Sequence, residues 1–196
     1  MDEDEHSAAM KAKGGYDLES PTTQTYYDLP TVPLANSYPA PLEVDGRQYP
    51  TAEHYRQFHR FAPDGAAATE TNEEATKLAD LILASPTDKL TFLCSGKDQL
   101  ENGGWLADAD DLQTKTTRHA VRAKFEQHPA LREQLLSTRD KTLVCLGDNL
   151  WGGVTMRSGM PEGKNNFGKI LMEIRAELQA VGGGGTGGEA SAAAAE

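Results

Sequence analysis

The chain has 196 residues, 38% of them hydrophobic, and a net charge of −11, which is enough apolar material for one good core but hardly for two. Six acids fall in residues 1–20 and two in the tail, and the stretch 22–181 carries 22 acids against 17 bases. That balance excludes a protein that coats duplex nucleic acid by counterion release, while leaving room for an enzyme that acts on one modified nucleotide.

Residues 1–21 are acidic and nearly free of large apolar side chains, so they read as a disordered N-terminal segment. Residues 182–196 are Gly-rich and then Ala-rich and read as a disordered tail, because a few alanines after a glycine run cannot offset the cost of helix nucleation. The N-terminus is acidic where a signal peptide needs a basic region, and no stretch approaches the ~20 apolar residues that span a bilayer. Cys94 and Cys145 both lie in apolar runs and read as buried free thiols, which fits a reducing compartment. The expectation is an intracellular protein, cytoplasmic or nuclear, with no membrane association and no stable protein partner.

In chain order, the first readable element is a hairpin over 42–49. Leu42 and Val44 alternate with Glu43, and Asp45-Gly46 is a favoured two-residue turn. Pro50 then punctuates, and Thr51 is a suitable N-cap for a helix from Ala52 to about Phe61, with Tyr55, Phe58 and Ala62 on the core side. A second helix is expected from Asn72 to about Leu83, with Ala75, Leu78, Leu81 and Ile82 inward. The stretch from Ser85 to Gly104 is the least patterned.

A third helix runs from about 110 to 127 with Ala120, Val121 and Phe125 facing in. Its bases Lys115, Arg118, Arg122 and Lys124 read as a solvated face, with a phosphate-facing patch as the alternative. Pro129 restarts a short helix carrying Leu131, Leu135 and Leu136. Thr142 to Leu146 suits a buried strand, Gly147 through Gly163 reads as loop, and a last helix from about Asn166 to Ala180 places Ile170, Leu171, Ile174 and Leu178 on one face. The fold class is α+β, predominantly helical, as one domain over 22–181 with a small sheet.

Several groups carry chemical content. Glu53 sits in the first turn of its helix, where the dipole favours a carboxylate as an ionised acceptor or base; placement by the dipole alone is the plainer reading. Asp148 follows directly on a strand, where rigid backbone positions ligand groups, although Asp is also a common turn former. Trp105 and Trp151 stand beside glycines in irregular stretches and suit stacking on a base, with packing as the alternative. The turn Gly163-Lys164-Asn165, with Gly168 beyond it, opens the last helix and offers backbone N–H groups to a phosphate or ribose. Its spacing is not that of a Walker loop, no serine occupies a nucleophile elbow, and the histidines lack metal-ligand spacing. No metal and no cofactor is expected.

Taken in order, these pieces resemble the NADAR family. Leu34-Ala35-Asn36-Ser37-Tyr38-Pro39 is similar to the family's Leu-Ser-Asn-Phe-Tyr-Pro. It is followed by Val44-Asp45-Gly46, Tyr49-Pro50-Thr51-Ala52-Glu53-His54-Tyr55 and Trp105. Arg122-Ala123-Lys124-Phe125-Glu126-Gln127-His128-Pro129, Asp148, Trp151-Gly152, Gly163-Lys164-Asn165 and Gly168 to Arg175 complete the series. The resemblance spans about residues 34–178 and implies cleavage of an N-glycosidic bond to ribose, with Glu53 and Asp148 as the catalytic pair. It implies that Asn36, Tyr55, Arg60, Trp105, Trp151, Gly152, Gly163, Lys164, Asn165 and Gly168 bind substrate.

Two activities come with the family: removal of ADP-ribose from guanine in DNA or RNA, and breakdown of small phosphorylated N-ribosides of riboflavin synthesis. The first is the leading expectation, the second the alternative, and a non-catalytic binder of ADP-ribose or NAD-like ligands a third. Three positions depart from the family pattern. Arg60 stands where Lys is usual, which removes a potential nucleophilic amine while keeping a charge. Gly153 stands where some bacterial members carry an acid, and Ala35 and Ser37 replace Ser and Phe of the opening motif.

Overall fold

The computed structural model describes residues 16–61, 73–87, 109–147, 151–157 and 160–183. In chain order the elements are β1 (Thr23–Tyr27), β2 (Leu42–Val44), β3 (Arg47–Tyr49), α1 (Ala52–Phe61), α2 (Glu73–Ala84), α3 (Ala109–Gln127), α4 (Pro129–Ser137), β4 (Thr142–Leu146), β5 (Thr155–Arg157), β6 (Met160–Glu162) and α5 (Asn166–Gly183). The α+β class and the dominance of helix are as expected. None of these helices is long and apolar enough to cross a membrane.

Among the described residues the strands form three two-stranded pieces. β1 and β4 run parallel, in register from Thr23 opposite Thr142 to Tyr27 opposite Leu146. A single parallel bridge from Leu146 to Val154 continues that ladder. β2 and β3 form the expected hairpin, and Asp45 and Gly46 take positive φ angles of 52° and 75°, as a two-residue turn between twisted strands requires. β5 and β6 form a second hairpin.

Two departures from the sequence reading concern strands. β1 has no counterpart in it: Thr-Gln-Thr-Tyr-Tyr has no buried periodicity of its own and becomes a strand by pairing with β4 far along the chain. The stretch read as loop up to Gly163 contains the β5–β6 hairpin.

Among the described residues two apolar clusters make up the core. In one, Phe125 of α3, Leu131 and Leu135 of α4 and Ile170, Leu171, Ile174 and Leu178 of α5 pack against Leu143 and Cys145 of β4. In the other, Leu42, Val44 and Tyr49 of the hairpin meet Ala52, Tyr55 and Phe58 of α1, Ala79 of α2 and Ala120 and Ala123 of α3. The inner face of α2 is rotated from the expected one: Ala79 and Ile82 are buried, while Leu81 is 48% exposed. Ala62 lies outside the described residues, as does the side chain of Ala75. Cys145 is a free, buried thiol, pushed up to about 12 by burial; Cys94 lies outside the described residues.

The basic face of α3 is neither a phosphate patch nor simply solvated. Arg118 pairs with Glu173 and Glu177 of α5, Arg122 with Glu126 and Glu177, and Lys115 with Asp111. Lys124 is only 1% exposed, and its ammonium donates to the carbonyls of Pro33 at 2.7 Å and Ala35 at 2.6 Å. Burial pulls its pKa down to about 7, with Asp28 opposing the fall.

Candidate functional site

Helix α1 begins where Thr51 Oγ1 accepts the His54 N–H at 3.2 Å, the N-cap bond that the sequence announced. The same hydroxyl meets His54 Nδ1 at 2.8 Å, and His54 Nε2 reaches the Ser85 carbonyl at 2.9 Å. The imidazole is thus tied on both nitrogens, and burial holds its pKa below the ordinary value. With the entry fixed, residues 53, 56, 57 and 60 share one face of the helix, while Tyr55, Phe58 and His59 turn towards the second core cluster.

Glu53 is held by its own helix. Arg56 Nε donates to Oε2 at 2.8 Å and Arg56 Nη2 to Oε1 at 2.5 Å, while Gln57 Nε2 donates to Oε1 at 2.7 Å. Its backbone N–H donates to the Asn36 carbonyl at 2.9 Å, so the Pro33–Tyr38 loop sits directly against the helix start. A bidentate guanidinium pair in partly buried surroundings fixes both oxygens in direction.

Asp28 joins this group from the end of β1. It is half-buried, and its Oδ1 accepts from the Ser37 N–H at 3.1 Å and the Ser37 hydroxyl at 2.9 Å. Burial raises its pKa and the charge of Glu53 adds to the rise, against the Ser37 hydrogen bonds and Arg56. Sequence reasoning missed Asp28, although the signal was the one used for Asp148: an acid directly after a run able to form a strand. Tyr27 lies opposite Leu146, so the two parallel strands end level, the end at which open α/β sheets gather ligands. Asp148 itself lies in 148–150, outside the described residues, as does Trp105.

The aromatic wall comes from the other side. Trp151 is half-buried and meets Phe167 edge-to-face, with ring centroids 5.6 Å apart. The Arg56 guanidinium lies 5.8 Å from the Phe167 ring centroid, which links the Glu53 cluster to Trp151. Phe167 was not singled out in the sequence.

The turn before α5 does something other than what its residue types promised. The N–H groups of Asn165, Asn166 and Phe167 donate to the carbonyls of Gly153, Trp151 and Gly152, so the helix start is occupied by the Trp151 loop. Asn165, fully buried with φ of 52°, accepts the Cys145 N–H at 3.0 Å through Oδ1 and donates from Nδ2 to the Leu143 carbonyl at 2.9 Å. Its side chain extends the ladder of β4 in place of a strand.

The glycines have steric reasons. A Cβ at Gly152 would stand 2.4 Å from the Phe167 ring, at Gly163 2.2 Å from the Gly153 carbonyl oxygen, and at Gly168 2.1 Å from the Leu143 carbonyl oxygen. The phosphate cradle expected from Gly163, Asn165 and Gly168 is therefore replaced by a docking joint between α5, β4 and the Trp151 loop. The Lys164 carbonyl accepts from the Tyr16 hydroxyl at 3.4 Å, and Lys164 is exposed.

Of the remaining expected residues, Asn36 and Arg60 lie with Glu53, the first through its carbonyl and the second on the same helix face. Tyr55 does not join them. It is buried among Tyr49, His59 and His119 in the second core cluster, and burial pushes its hydroxyl up to about 12. The helix period accounts for this, since residue 55 lies far around α1 from residue 53.

The architecture is thus a single α+β domain whose parallel strand ends, helix start and tryptophan loop converge on one fixed carboxylate. Residues 24–179 match the family model for the NADAR domain, and the chain belongs to the NADAR family. It is 32% identical to the N-glycosidase YbiA of Escherichia coli (strain K12) over 142 residues, covering 70% of this chain and 76% of that protein. It is 30% identical to an N-glycosidase of Nostoc punctiforme over 151 residues, covering 74% and 85% respectively. A riboflavin biosynthesis protein of Vibrio vulnificus is 32% identical over 149 residues, covering 74% of this chain and 35% of that longer protein. The solution structure of Escherichia coli YbiA superposes with a TM-score of 0.63 at 26% identity, over 86% of this chain and 91% of that one.

Proposed function

We propose that the protein is an N-glycosyl hydrolase, and that its substrate is ADP-ribose linked to guanine in nucleic acid. The observation that carries the reading is the Glu53 carboxylate, oriented by Arg56 and Gln57 at a helix start and bordered by Asn36, Asp28 and the Phe167–Trp151 pair. A carboxylate with that much donor support acts as an acceptor: it orients or deprotonates water, or faces the cationic ribose carbon that develops as the C–N bond breaks. The water oxygen bonds to that carbon, and the departing amino nitrogen takes a proton from an acid. Asp148 is assigned that role together with the notion of a catalytic pair, and Arg60 and Trp151 are assigned to substrate binding. Relatives named as N-glycosidases support the bond class.

Incubation with an ADP-ribosyl-guanine oligonucleotide, followed by mass spectrometry, is expected to release ADP-ribose and restore guanine. Glu53→Gln, which keeps the shape and loses the charge, is expected to slow release by about 100-fold or more. An intact substrate after incubation with wild-type protein sinks the assignment of substrate.

A second reading draws on the riboflavin biosynthesis relative: hydrolysis of a phosphorylated ribosylamino intermediate. Release of ribose 5-phosphate from such an intermediate, with the oligonucleotide untouched, selects it.

A further inference from the structure

Two residues hydrogen-bonded to Glu53 each carry a buried side-chain atom with no hydrogen-bond partner among the described residues, Gln57 Oε1 and Asn36 Nδ2, and each residue is only 5% exposed. The orientation of the Gln57 amide follows from chemistry. The Glu53 carboxylate can only accept, so the amide NH2 must face it, as it does at 2.7 Å, and the carbonyl oxygen is left without a donor. Asn36 is fixed by its backbone, whose carbonyl takes the Glu53 N–H at 2.9 Å. Each residue is therefore one hydrogen bond from Glu53, and each keeps one buried group that does not serve the fold. Native proteins leave few such atoms, and each calls for an explanation, a ligand that completes the bonding being one.

We propose that Gln57 and Asn36 read the vicinal hydroxyls of the ribose, making them specificity-determining residues of the site. One hydroxyl donates to Gln57 Oε1, the other donates to Glu53, and Asn36 Nδ2 donates to a hydroxyl oxygen. A vicinal diol offers that combination of two donors and an acceptor. A phosphate supplies acceptors alone; it would leave Gln57 Oε1 unsatisfied and be repelled by Glu53. The inference rests on the ribosyl N-glycosidase reading and names the part of the substrate that this corner recognises.

The test combines turnover with binding. Wild type, Gln57→Met and Asn36→Ala are assayed on the ADP-ribosyl-guanine oligonucleotide. Their affinities for ADP-ribose, and for analogues lacking the 2- or the 3-hydroxyl of the terminal ribose, are measured by calorimetry, with near-UV circular dichroism to confirm folding. The expected result is that wild type prefers ADP-ribose to at least one analogue by about tenfold or more, and that either folded variant brings the ratio to within about threefold. A merely structural role would weaken all three ligands together and leave the ratio unchanged. If wild type shows no preference, or both variants keep it, the diol assignment is overturned; should a variant not fold, the other variant and the wild-type preference decide. Cleavage with an unchanged ratio removes this inference and keeps the hydrolase. A Gln57-dependent ratio without cleavage of any N-riboside does the reverse.

Discussion

Lys124 is the residue whose reading changed most between sequence and structure. A lysine on a helix among other bases looks like surface, yet its ammonium is buried and donates to Pro33 and Ala35, in the loop that carries Asn36. It thereby holds the wall of the candidate site. Its folded pKa of about 7 lies below the ordinary 10.5, so between those values the unfolded chain holds a proton that the native protein has released. Stability contributed through this group therefore rises with pH across the window of about 7 to 10.5 and is flat below it. Lys124→Met deletes the titration and leaves two buried carbonyls without their donor, each at a cost of about 1–3 kcal/mol. The variant is expected to be less stable than wild type throughout, and by a wider margin at pH 9 than at pH 6. Urea unfolding at the two pH values measures this; a margin that narrows with pH contradicts the assignment.

At the scale of elements, the joint between α5 and β4 decides how the Trp151 loop is presented. Asn165 bonds both ways to β4, Gly168 lets the helix backbone approach the Leu143 carbonyl, and Gly152 lies against the Phe167 ring. Gly168→Ala gains helix propensity but places its Cβ against backbone that cannot swing away. A loss of about 1–3 kcal/mol is expected, visible as a lower urea midpoint, together with reduced turnover because Trp151 and Phe167 shift with the helix. An unchanged midpoint would show that the helix docks more loosely than the geometry requires.

Legibility follows the range of the interactions. The hairpin at Asp45-Gly46, the Thr51 cap, the restart at Pro129 and the apolar stripe of α5 rest on neighbours within a few positions, and they could be read directly. β1 could not, because Thr23–Tyr27 is a strand only in company with β4, and Asp28 went unread with it. In the candidate site, Glu53 and Asn36 were legible as motif residues. Arg56 and Gln57 were equally close in sequence, at i+3 and i+4, but nothing short of the folded geometry says that both point at the Glu53 carboxylate. Gly163, Asn165 and Gly168 were legible as important positions and misread in role, because a helix start that would bind an anion looks the same in sequence as one already filled by a loop.

The whole molecule sets how a nucleic acid substrate would approach. The chain carries −11, and the bases of α3 that a sequence reading offers to phosphates are paired with acids: Arg118 and Arg122 with Glu173, Glu126 and Glu177. Arg157 on β5 lies 3.5 Å from Glu162 on β6. These exposed pairs add little to stability, but they neutralise described bases that could otherwise have formed part of a positive surface for tracking a duplex. Recognition should therefore fall on the modified nucleotide itself, with few backbone phosphates neutralised. For the Glu53→Gln variant, expected to bind without rapid turnover, fluorescence anisotropy with an ADP-ribosyl-guanine oligonucleotide between about 50 and 200 mM salt should give a slope of log affinity against log salt shallower than about −2. The unmodified oligonucleotide should bind far more weakly at every salt concentration. A slope of about −6 or steeper, with similar affinity for both oligonucleotides, would mean that the protein grips the phosphate backbone and that the modification contributes little to recognition.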